Sequence, residues 1–80
     1  MVLLDIIQVQ VLADYVLLLE FENGEHRRFN MTPYLSQRPW QSLKKNALFQ
    51  SATVDNDTVV WVDNIDIDPE TLYEFSELIN

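Results

Sequence analysis

Glycine occurs once in these 80 residues, at Gly24, where it follows Asn23 between two runs that alternate in side-chain character. That pair between alternating runs is a hairpin signal, because Asn and Gly reach left-handed backbone at low steric cost. Ahead of it, Tyr15, Leu17, Leu19 and Phe21 share one face, and Val16, Leu18, Glu20 and Glu22 share the other. Behind it a strand runs from Glu25 to about Met31. Side-chain parity decides how the turn closes. A two-residue turn sets Glu22 against Glu25 and sends Phe29 and Met31 to the face away from Phe21. A three-residue loop, Glu22-Asn23-Gly24 with Gly24 in the left-handed bulge position, pairs Phe21 with Glu25 instead. Leu19 then faces Arg27, Leu17 faces Phe29 and Tyr15 faces Met31, while Glu20 sits against His26 on the other side. The bulged loop is the expectation.

The remaining elements follow from the same rules. From Leu3 to Leu12 the residues Ile7, Val9 and Val11 alternate with Ile6, Gln8 and Gln10, a first strand. Thr32-Pro33-Tyr34 ends the third strand, since proline has no amide for a ladder. Pro39 opens a short helix through Gln41, Ser42 and Leu43 to about Lys45. In it Trp40 and Leu43 face inward, with Leu48 or Phe49 beside them, and Lys44 and Lys45 suit its C-terminal end. Ser51–Val54 and Thr58–Val62 read as strands around the polar turn Asp55-Asn56-Asp57. Asp68 caps a last helix with Pro69 as its first residue. Leu72, Phe75 and Ile79 form its apolar stripe, flanked by Tyr73 and Leu78; Glu70, Glu74 and Glu77 form its wet side. The expected architecture is one α+β domain over residues 1–80. It has a small antiparallel sheet of about five strands, a short middle helix and a C-terminal helix.

Charge narrows the function. Thirteen acidic side chains against five basic ones give a net charge of −8. Such a surface repels phosphate backbones, which argues against direct nucleic-acid binding, and attracts a basic protein partner. No cysteine is present, so packing alone holds the core, and a reducing, cytoplasmic setting is expected. Asp5 interrupts the apolar start, and no run approaches the ~18 residues a membrane span needs.

Chemistry is poorly supplied. His26 is the single histidine, on a strand beside Glu20 and Arg28, with no nucleophile that the spacing places against it. The stretch Asp63–Glu70 alternates acids, but an EF-hand loop starting at Asn64 needs Gly at its sixth place and Glu at its twelfth. Pro69 and Phe75 stand there. One glycine cannot build a phosphate loop, and no His/Cys set suits zinc. No catalytic residue, cofactor or metal is therefore expected, and the reading is non-enzymatic.

Two features point to binding. The acids Asp63, Asp66, Glu70, Glu74 and Glu77 crowd the last third of the chain and are the candidate partner-binding residues. Ile6, Leu12, Val16 and Leu18 put apolar groups on faces expected to be wet. Either a helix covers them, or they mark a partner surface or a homodimer contact. The leading reading is a non-enzymatic acidic protein-binding module, antitoxin-like or regulatory, that restrains a basic protein. The alternatives are an acidic inhibitor, phage-encoded for instance, that blocks a nucleic-acid-binding protein, and a domain that binds a small ligand or metal.

Several segments together resemble a known family. They are Tyr15 to Glu25, Arg28-Phe29-Asn30, Leu43-Lys44 with Leu48-Phe49, Val60-Trp61, and Ile65 to Tyr73. The chain resembles, from about Ile7 to Tyr73, the bacterial domain of unknown function 2442. That family usually has Asp where Asn30 stands, and Pro-Asn-Gly where this chain has Val62-Asp63-Asn64. The resemblance implies an α+β fold with a small antiparallel sheet. It also implies a gene arrangement like that of toxin–antitoxin pairs, and so a protein that binds and restrains a partner.

Overall fold

The computed structural model describes residues 4–80. The expected start of the first strand at Leu3 lies outside the described residues. Among the described residues seven antiparallel strands form two sheets, ordered β1-β2-β3-β7 and β4-β5-β6. The first sheet is a meander of β1 (Ile6–Leu12), β2 (Val16–Phe21) and β3 (His26–Asn30), edged by β7 (Glu77–Leu78). The second joins β4 (Thr53–Asp55), β5 (Thr58–Trp61) and β6 (Ile65–Ile67). The α+β class stands, but the strands number seven in two sheets instead of about five in one. Two short helices, α1 (Asn46–Phe49) and α2 (Pro69–Glu74), complete the fold with several 3-10 turns.

The bulged loop is present. Leu17 pairs with Phe29, Leu19 with Arg27 and Glu20 with His26. The Phe21 amide donates to the Glu25 carbonyl, and Gly24 sits at φ +87°. Phe21, Phe29 and Met31 consequently share the buried face. A second bulge escapes the alternation. Ile6 pairs with Phe21 and Gln8 with Glu20, which leaves Ile7 as an extra residue in β1. The extra residue resets parity, so Ile6 is buried with the core while Ile7 is 55% exposed.

Two hairpins reverse through the same three-residue loop, Ala13-Asp14-Tyr15 and Val62-Asp63-Asn64. Each loop ends in two residues of positive φ: 61° and 62° at Asp14 and Tyr15, and 64° and 58° at Asp63 and Asn64. Asn and Asp tolerate this region; tyrosine rarely visits it. Tertiary contacts hold Tyr15 there. Its ring meets Phe49 edge-on at 5.2 Å, its hydroxyl donates to the Lys44 carbonyl, and its own carbonyl accepts from the Met31 amide. The β4–β5 turn is Asn56-Asp57, again with both φ positive.

One core joins both sheets. Leu17, Leu19, Phe21, Phe29 and Met31 meet Val59, Trp61 and Ile67, with Leu43, Phe49 and Leu72 closing the gap. The middle segment reaches this core as a 3-10 helix, Trp40–Lys44, with Pro39 just before it. Three residues per turn stack Trp40 over Leu43. Leu43 is buried, and the Trp40 indole N–H donates to the Asp66 carbonyl at 2.9 Å. Trp61 stacks on Phe49 and donates to its carbonyl at 3.1 Å.

The C-terminal helix is shorter than its apolar spacing predicts. Asp68 caps it as expected, accepting from the Thr71 amide at 2.8 Å. The helix stops at Glu74, Phe75 and Ile79 are 62% and 45% exposed, and Glu77 lies on β7. The unpaired edge of β3 offers backbone partners that a continued helix would forgo: Arg27 and Arg28 pair with Leu78 and Glu77, and the Ile79 amide donates to the His26 carbonyl at 2.8 Å. Arg27 ties the turn down. Its guanidinium reaches Glu25 at 2.7 Å, lies 3.9 Å over the Tyr73 ring, and donates to the Tyr73 and Ser76 carbonyls. Tyr73 in turn donates to Glu25 at 3.1 Å. Burial would push the Glu25 carboxyl up, but hydrogen bonds from Arg27 and Tyr73, with the guanidinium's charge, outweigh it and hold it below its ordinary value.

Candidate functional site: the open face of the first sheet

Antiparallel pairing places opposed residues on the same face of a sheet. The register therefore lays out the side of β1–β2–β3 that faces away from the core as three rows. They are Gln8–Glu20–His26, Gln10–Leu18–Arg28 and Leu12–Val16–Asn30. Glu77 extends the middle row, opposite Arg28. The 3-10 helix Trp40–Lys44, α1 and α2 send their buried residues, Leu43, Phe49 and Leu72, into the core on the opposite side. Leu12, Val16 and Leu18 stay half-buried and outside that core. The apolar surplus thus divides: Ile6 belongs to the core through the bulge, and the other three form an open strip.

One end of the strip is a shallow depression of about 140 Å³, lined by Gln8, Gln10, Leu18, Leu19, Glu20 and His26. His26 is held in one orientation. Its backbone N–H donates to Asn80 Oδ1 at 3.0 Å, and its Nδ1 lies 2.9 Å from the same oxygen. A carbonyl oxygen only accepts, so Nδ1 carries the hydrogen. Nε2 then points at Glu20 Oε1, 3.7 Å away. In the neutral ring that nitrogen is an acceptor facing a carboxylate; in the imidazolium it is a donor.

The acids singled out from sequence are spread over separate elements. Glu70 and Glu74 lie one turn apart on α2, Asp66 on β6, Asp63 in the β5–β6 loop and Glu77 on β7; all five are exposed. Of these, only Glu77 has a register that puts it on the open face. A different acidic group went unnoticed in the sequence. Asp5, Glu22 and Asp57 meet where the sheets join: the Glu22 amide donates to the Asp5 carbonyl, and the Ile6 amide to the Asp57 carbonyl. Burial first, then Asp57 and Glu22, push the Asp5 carboxyl above its ordinary value. The pairing of the start of β1 with the end of β2 was the signal that could have found the first two. Among the described residues no group of three or more His, Cys, Asp or Glu is placed to hold a metal ion, and no helix is long and apolar enough to cross a membrane.

No curated protein and no solved structure matches the chain. The family model described as protein of unknown function (DUF2442) matches residues 6–77. That span takes in β1 to β6, both helices and the start of β7, and the chain belongs to this family.

Proposed function

We propose that this protein is a non-enzymatic, cytoplasmic binding module, antitoxin-like or regulatory, that restrains a basic protein partner through the open face of its first sheet. The observation that carries the reading is the strip Leu12–Val16–Leu18, half-buried and outside the core into which the described helices send their buried residues. An apolar centre with a polar rim is the usual anatomy of an interface. Here Gln8, Gln10, Glu20, His26, Arg28, Asn30 and Glu77 supply the rim. The net charge of −8 supplies long-range attraction for a basic partner. Glu70, Glu74, Asp63 and Asp66 contribute to that field from outside the contact.

Capture from the source cell's lysate at low salt, followed by kinetics with the purified partner, tests this. Association is expected to slow on the order of tenfold between low and moderate salt, with dissociation much less affected. Reversing Glu70, Glu74 and Glu77 to Lys should slow association and flatten the salt dependence. Association indifferent to both salt and these reversals would overturn the electrostatic part of the reading.

A further inference from the structure

The depression at the end of the apolar strip has a chemistry of its own. Four of its lining residues carry hydrogen-bond acceptors: the Glu20 carboxylate, the side-chain amides of Gln8 and Gln10, and, in the neutral ring, His26 Nε2. The Gln8 and Gln10 side chains are exposed, and their amides have no protein partner among the described residues. Leu18 adds an apolar side chain to the lining. Arg28, the nearest cation by register, forms no ion pair in the described structure.

We propose that this depression receives the cationic head of a lysine or arginine side chain, and that protonation of His26 opposes its binding. The proposal rests on the reading of the open face as a partner surface, and names what that partner presents there. A guanidinium or ammonium satisfies the Glu20 charge and donates to the neighbouring acceptors, while its aliphatic stem lies along Leu18. Glu20 and His26 are fewer protein ligands than a zinc site uses, whereas a guanidinium or ammonium needs only hydrogen-bond acceptors and a negative charge beside it. Histidine is the side chain that changes charge in the physiological range. The charged groups around it are Glu20 on β2, Arg28 two residues along β3 and Glu77 opposite Arg28; Gln8 and Asn80 are its neutral neighbours. A proton on Nε2 turns the acceptor into a donor aimed at Glu20, so the ring takes over the contact that the incoming cation would make.

The test uses the full chain, isotopically labelled, titrated with N-acetyl-arginine amide and with its neutral isostere N-acetyl-citrulline amide, followed by NMR. At pH 7.5 the arginine probe should shift the Gln8 and Gln10 side-chain amides and the His26 ring saturably. The citrulline probe should bind on the order of tenfold more weakly or not at all, as loss of a charged hydrogen bond requires. Lowering the pH to 5.5 should weaken the arginine probe several-fold. His26→Gln should remove that pH dependence, and Glu20→Gln should abolish the site while leaving the spectrum of a folded chain. Shifts scattered evenly over all the acids, an unaltered response in Glu20→Gln, or no response to the arginine probe at tens of millimolar would overturn the proposal. If a basic partner still binds through Leu18 in those cases, the partner surface stands and the pocket does not.

Discussion

Leu18 and Leu19 are neighbours in sequence on opposite sides of β2, and truncating each in turn measures whether one side is open. Leu19 is fully buried in the core. Its replacement by Ala removes the transfer energy of the lost methyl groups and leaves a cavity, costing about 2–5 kcal/mol. Leu18 is half-buried, lies outside the core, and stands between Gln10 and Arg28 on the open face. Its truncation should cost about 1 kcal/mol or less, since part of its surface is already hydrated and no cavity closes around it. A domain of this size is stable by about 5–10 kcal/mol, with a urea slope near 1 kcal/mol/M. The midpoint of urea unfolding should therefore fall by roughly 2–5 M for Leu19→Ala and by no more than about 1 M for Leu18→Ala. Equal losses would mean that something covers Leu18 in solution, and the reading of an open face would be refuted.

Three further outcomes follow from particular contacts. Asp68→Ala removes the acceptor of the Thr71 amide and of the Thr71 hydroxyl and should cost about 1 kcal/mol in urea unfolding. Tyr15→Phe removes the hydroxyl that donates to the Lys44 carbonyl and should cost about 1 kcal/mol, with the loop's positive φ retained. The two shifted carboxyls should tilt the pH dependence of stability in opposite senses. Glu25 is held low, so it contributes stability above its unfolded value that disappears as pH falls through its folded one; Glu25→Gln should lose that acid-side slope. Asp5 is held high, so the folded state keeps its proton longer and stability falls as pH rises through that window. Asp5→Asn should therefore stabilise the chain at neutral pH, which unfolding across pH 3–7 would show.

Parity made much of the first sheet readable. Like charges at Glu22 and Glu25, and aromatics at Phe21 and Phe29, leave one way of closing the hairpin, and the structure adopts it. The bulge at Ile7 was not readable, because Ile6 and Ile7 are the same residue and either can take the buried place. β6 was not anticipated: Ile65-Asp66-Ile67 alternates over only three residues, and three residues before a capped proline serve equally as a lead-in to the helix. The early end of α2 is set by the vacant edge of β3 and by Arg27, neither of them local to Phe75. Local spacing therefore favoured a longer helix than long-range pairing allows. As for the site, the apolar surplus at Leu12, Val16 and Leu18 was plain from sequence. Whether a helix lay over it depended on where Leu43, Phe49 and Leu72 point, and that is a property of the packed core. The depression beside His26 needed the register of three strands at once.

The most direct measurement of the central claim is the affinity of the captured basic partner for Leu18→Glu beside Val16→Glu, compared with the Glu70→Lys/Glu74→Lys pair on α2. An open-face interface predicts that a buried charge in the strip weakens binding by on the order of a hundredfold, mostly through faster dissociation. The helix reversals should slow association while leaving dissociation close to wild type. If the strip variants fold and bind as tightly as wild type while the α2 reversals abolish binding, the partner sits on the helix and the claim is wrong.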